Sequence, residues 1–188
     1  MSYIVTITQD MKDRCMQFAR QIITTDNQFS RLLPNDIRTS GNQQSKQALE
    51  INRTYMGKLA ELAFAEMLRL NGKQVDLTDI FAIYEGQNNV DTADFFTLNG
   101  NSVDVKAGYE SFHSRLLVNC EQADSIPKNY YVGVKLNLIN GNSQALIHGY
   151  VNHNELVTAN RPQTFGEGYA YWLYYNQLRD INGLINMF

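Results

Sequence analysis

The sequence predicts a mixed α/β fold of the α+β kind, with helices first and a sheet after them. Three observations carry that expectation. Apolar residues recur at helical spacing up to Gly72 and at strand spacing beyond it. The tetrapeptide Asn-Gly-Asn-Ser occurs at 99–102 and again at 140–143, each time between apolar runs, which is hairpin chemistry. The chain has 188 residues, 44% apolar and 19% charged, which suits one folded domain and is too apolar for disorder.

Taken in order, Tyr3-Ile4-Val5-Thr6-Ile7 is a short β-type run. Thr8 follows as a helix cap, because its hydroxyl accepts a backbone N–H of the first turn. Met11, Cys15, Phe18, Ala19 and Ile22 then mark one face of a helix. The polar segment from Thr24 to Asn42, broken by Pro34 and Gly41, predicts a loop. A longer helix is expected from about Ser45 to Leu70, with Leu49, Tyr55, Leu59, Leu62, Ala63, Ala65 and Leu68 among its apolar members. Asn71-Gly72 ends it, since both residues tolerate the left-handed cap conformation. Strands are expected at 80–84, 94–98, 102–107, 115–119, 130–137 and 144–151. The aromatic tail, 169–188, predicts a strand and then a short helix, with core packing as its main use. A single domain, 1–188, thus divides into a helical part, 1–73, and a sheet-rich part, 74–188.

Composition excludes several classes of function. No apolar run approaches the roughly 18 residues of a membrane span. The start, Met1-Ser2-Tyr3-Ile4, has neither a basic segment nor a following apolar block, so a cytoplasmic location with no signal peptide and no membrane partner is expected. Cys15 and Cys120 cannot form a disulfide scaffold or a four-cysteine zinc site, and both thiols are expected to be reduced. His113, His148 and His153 are too scattered for zinc. Residues 1–73 hold ten Lys/Arg against seven Asp/Glu, a balance of +3, and residues 74–188 hold six against twelve, a balance of −6, which sum to −3. That is not the charge of a nucleic-acid coat, and the acidic half has room for a cation site.

One constellation carries chemistry. Asp104-Val105-Lys106 lies in the strand after the first Asn-Gly turn, and side chains two apart on a strand share a face. Asp94 opens the preceding strand. Glu61 lies on the long helix among Gly57, Ala60, Ala63 and Ala65, small residues that let a strand pack close. Converging carboxylates make a hard oxygen site suited to Mg²⁺. A lysine beside them orients water and offsets developing negative charge. The register of the hairpin decides whether they converge. A two-residue Asn99-Gly100 turn pairs Asp94 with Val105 and turns it to the wrong face, leaving Asp91 in reserve with the right parity. A three-residue loop or a bulge is expected to pair Asp94 with Lys106 and restore the site.

At these residues the chain resembles the restriction-endonuclease-like nucleases, the PD-(D/E)xK superfamily. The matching pieces are Gly57-Lys58-Leu59-Ala60-Glu61, Ala93-Asp94-Phe95 and Asp104-Val105-Lys106, spread over about residues 50–110. Ala93 stands where that family often has proline. The resemblance implies a restriction-endonuclease-like core, a central mixed sheet with N-terminal helices packed on it. It implies that Asp94, Asp104 and Glu61 hold Mg²⁺, with Mn²⁺ as a substitute, and that Lys106 assists hydrolysis of a DNA phosphodiester. Arg31, Arg38, Lys46, Arg53 and Lys58, on the loop and helix leading to Glu61, are the candidates for phosphate contacts. Cutting both strands of a duplex calls for two sites, hence a homodimer. The rival readings are a catalytically silent binding or structural domain on the same scaffold, and a nuclease for RNA or single strands.

Overall fold

The computed structural model describes residues 2–24, 43–82, 93–139, 141–166 and 168–188. Arg31, Arg38 and Asp91, and most of the expected loop at 24–42, lie outside them. The chain begins with strand β1 (Tyr3–Thr6) and helix α1 (Gln9–Thr24). As expected, Thr8 caps that helix, its Oγ1 accepting from Met11 N at 3.2 Å. The long helix α2 runs Gln43–Leu70. It stops where the sequence says it should: Gly72 takes φ +74°, Gly72 N donates to Arg69 O, and Lys73 N donates to Leu68 O. Those two bonds are the paired closure of a Schellman cap.

The rest of the chain supplies strands β2 (Phe95–Phe96), β3 (Ser102–Gly108), β4 (Arg115–Asn119), β5 (Tyr130–Asn137), β6 (Gln144–Asn152), β7 (Gln163–Thr164) and β8 (Tyr169–Tyr174). Helix α3 (Cys120–Ser125) precedes β5, and helix α4 (His153–Ala159) follows β6. The tail is a strand and then a short helix, α5 (Asn182–Ile185), with one 3₁₀ turn, Tyr175–Gln177, between them. The expected strand at 80–84 does not form over its described part: residues 78–81 are a turn. Asp76 accepts from both the backbone and the hydroxyl of Thr78 there, and Phe81 packs on Phe18 of α1 with ring centroids 5.5 Å apart. The apolar pair Ile80-Phe81 covers a helix instead of joining a sheet.

Five strands form one mixed sheet in the order β1-β6-β5-β3-β2, in which β3 and β5 are parallel and the other pairs antiparallel. A second, antiparallel sheet has the order β4-β8-β7. Alternation along the strands sorts the large sheet into two faces. Val5, Val103, Val105, Val132, Val134, Leu136 and Ile147 share one core with Leu59, Ala60, Ala63, Phe64 and Met67 of α2 and with Met11, Cys15 and Ala19 of α1. The opposite face carries Tyr131 and Val151, which pack with Leu116, Val118, Leu173 and Leu156 of the small sheet and α4. The fold is therefore a layer of helices, a mixed sheet, and a second layer of short elements. Among the described residues no helix is long and apolar enough to cross a membrane.

Candidate active site

The hairpin register places Asp94. Phe95 stands opposite Val103 and Phe96 opposite Ser102, so Leu98, Asn99 and Gly100 form a three-residue loop. Gly100 takes φ +75°, and Thr97 N donates to Asn101 O across the base of the loop. The same register carries Asp94 to Asp104, and not to Lys106 as the sequence suggested. Its parity is nonetheless the one that the site needs. Asp94 also ends the strand pairing, since its Oδ2 accepts from Val105 N at 2.6 Å and replaces the next ladder bond.

Asp104 and Lys106 share a face of β3, next to Tyr131 on the neighbouring strand. Lys106 Nζ lies 2.6 Å from Asp104 Oδ2, an ion-pair contact outside hydrogen-bond angles. The same ammonium donates to Gln122 Oε1 at 3.1 Å. Glu61 reaches the site from α2, and its Oε2 accepts from Lys58 Nζ at 2.7 Å. Glu61 is 8% exposed and Asp104 7%, so both carboxylates sit at the bottom of the layer, not on its surface.

Asp94 feels each of the other three groups. Burial pushes Asp94 well above the usual carboxylate range, and the Glu61 and Asp104 carboxylates push it further; the Val105 N–H and Lys106 act in the other direction. Burial alone would draw Lys106 down, but Asp104, and then Asp94 and Tyr131, more than offset it, and the ammonium is held above its ordinary value. Lys106 is thus a charge and a donor at neutral pH, not a base. Behind Glu61, burial and then the Glu61 charge push the Cys15 thiol up to about 12, which makes it inert.

The candidate set therefore sorts as follows. Asp94 lies within the field of Glu61, Asp104 and Lys106, and Lys106 is in contact with Asp104. Lys58 is drawn in against Glu61, with its ammonium 5.5 Å from the centre of the Phe18 ring. Lys46 and Arg53 are half-buried on α2. Gln122 is the residue that sequence reasoning missed. A signal was present: Asn119 caps α3 by accepting from Gln122 N, and Asn followed three residues later by Gln is a helix-start spacing.

A divalent cation fits this donor set in charge and type. The oxygens are hard, Asp104 Oδ2 is buried with the Lys106 ammonium against it, and Asp94 is held against two like charges. Among the described residues, however, no group of three or more His, Cys, Asp or Glu already stands at metal-cage spacing. Comparison with known proteins adds no assignment: no family model, no curated protein and no solved structure matches this chain.

Proposed function

We propose that this chain is a Mg²⁺-dependent endonuclease that hydrolyses DNA phosphodiester bonds on a restriction-endonuclease-like core. The observation that carries the reading is the placement of Asp94, which the three-residue loop sets opposite Asp104 and within the field of Glu61. Asp94, Asp104 and Glu61 would hold the cation, the carboxylates closing on it, and Mn²⁺ would substitute. When bound, the cation supplies Lewis-acid polarisation of a phosphoryl oxygen. Lys106, charged and steered by Gln122, donates to the attacking water or to a phosphate oxygen on which negative charge develops. A duplex substrate would bring two chains together, one site for each strand.

Plasmid cleavage with Mg²⁺, Mn²⁺ and EDTA, run beside Lys106→Ala, tests the proposal. Metal-dependent products that disappear in the variant are expected, and cleavage that survives in Lys106→Ala or in EDTA refutes it. Duplex DNA, single-stranded DNA and RNA as parallel substrates decide the substrate class. A silent binding domain is the second reading. It is favoured by the contact of Asp104 with Lys106, which already neutralises one carboxylate. It expects no change in melting temperature at millimolar Mg²⁺, where the nuclease reading expects a rise by mass action.

A further inference from the structure

A second cleft lies away from the carboxylates, and it has the make-up of an anion site. Its volume is about 450 Å³, and Ser2, Ser114, His148, Tyr174 and Asn176 are among the residues that line it. That size is in the range of small-ligand sites, roughly 300–1,000 Å³. The strand pairing is irregular beside it. Gly133 stands opposite Gly149, but Val134 stands opposite Ile147, so His148 is an extra residue bulged out of β6. Bulges of this kind re-aim a side chain. The His148 ring is turned onto Tyr175, with centroids 4.2 Å apart and planes 7° apart. Gly149 takes φ +151°, and a Cβ there would come 2.2 Å from Arg179 O, so only glycine permits the bulge.

The lining offers donors. Ser2 Oγ lies 2.9 Å from His148 Nδ1. With Ser2 donating, the neutral ring carries its proton on Nε2. Arg115 Nη2 donates to the Tyr174 hydroxyl at 2.8 Å, which leaves the phenolic proton for another acceptor. Ser114 and Asn176 add a hydroxyl and an amide. Among the described residues lining the cleft, none is a carboxylate. Two cations stand behind these donors. Arg115, next to Ser114, is clamped against the rings of Phe165, Trp172 and Tyr174 at 5.5, 5.2 and 4.6 Å. Among the described residues no acid lies within ion-pair distance of it. Lys135 donates to the backbone carbonyls of Glu110 and His113 and is the charged group that His148 feels. The Glu110 carboxylate acts on Lys135 and His113.

We propose that this cleft binds a phosphate group, held by the Ser114 and Tyr174 hydroxyls, the Asn176 amide and His148 Nε2–H, with Arg115 and Lys135 supplying the field. Several donors backed by fixed cations, with no carboxylate among the described lining residues, favour an oxyanion. The phosphate is either a free one or one carried by a nucleic-acid strand. The cleft stands on the same large sheet as Lys106, with β5 between β3 and β6.

The test uses the full chain carrying Lys106→Ala, in EDTA, so that no step needs cleavage and failure of the nuclease reading leaves the result intact. The sequence contains one tryptophan, Trp172, and its ring lies 5.4 Å from Tyr174, so its fluorescence reports on the cleft. Inorganic phosphate is titrated in one arm, and a short 5′-phosphorylated oligonucleotide beside its unphosphorylated form in the other; His148 ring shifts are followed by NMR. Saturable binding is expected in at least one arm. Tyr174→Phe, which keeps the ring on Arg115, and Ser114→Ala should each weaken it about tenfold or more, the usual effect of losing one hydrogen bond to a charged ligand. Tighter binding of inorganic phosphate supports a small-molecule site, and tighter binding of the oligonucleotide supports a strand site. No saturable response in either arm, or affinities that both folded variants leave unchanged, overturns the proposal.

Discussion

Charging Asp94 is costly. Burial and two neighbouring carboxylates hold its proton affinity well above the ordinary value of 3.8. A folded-state value above the unfolded one means that its contribution to stability is full below the unfolded value and is lost as pH rises through the shifted one. Asp94→Asn retains an oxygen for the Val105 N–H and removes the repulsion. At neutral pH the variant should melt higher, by roughly 2–4 °C for each kcal/mol of repulsion removed, while metal-dependent cleavage is lost. The gap should close on acidification, and an unchanged or lower melting temperature at pH 7 would refute the electrostatic account. Gln122 acts through Lys106 and touches no reacting atom in this account. Gln122→Ala should lower kcat about tenfold with KM little changed, because it frees the ammonium to wander. A rise in KM with kcat intact would assign Gln122 to substrate binding.

At the scale of elements, short structures that look like irregularities hold the functional groups in place. The His148 bulge is one of them. Gly149→Ala would force a Cβ into the Arg179 carbonyl, a backbone atom that cannot swing aside, at a φ that side chains avoid. Thermal denaturation should show a loss of about 2–3 kcal/mol, and a neutral result would mean that the bulge is not rigid. The hairpin teaches a different lesson. Asn-Gly announced the turn, but two-residue and three-residue loops both use a glycine at positive φ, so the tetrapeptide alone left the register open. Packing chose it: Phe95 is buried, with its ring 5.1 Å from that of Phe64, and Phe96 is left exposed. That choice needs the helix layer, which no local pattern contains. Helices α3 and α4 show the reverse. Asn119 with Gln122 and Asn152 with Glu155 have helix-start spacing in plain sequence. Six and seven residues are too few for a helical period to show, so the strand pattern around them dominated. The long helix was legible from end to end, because its stop residues and its period agree.

On the scale of the whole molecule, Met187 and Phe188 pack against the hairpin and helix of the candidate site. Strand β2 has two residues and one neighbour, so its own ladder is a weak anchor for Asp94. The chain end compensates. Leu98 N donates to Met187 O at 3.0 Å, and the ring of Phe188 lies 5.9 Å from that of Phe64, the residue on which Phe95 also packs. Phe188, α2 and the hairpin thus share one core, and the last residue of the chain is tied to the first candidate ligand. Phe188→Ala should cost about 3–5 kcal/mol, the usual effect of truncating a buried phenylalanine. Hydrogen exchange separates a general loss of core from a specific loss of the clamp. If the C-terminus is the clamp, the amides of Asp94 and Thr97, which donate to Val103 O and Asn101 O, should lose more protection than those in the middle of β5. Uniform loss across both strands would show instead that the hairpin is held by its own loop.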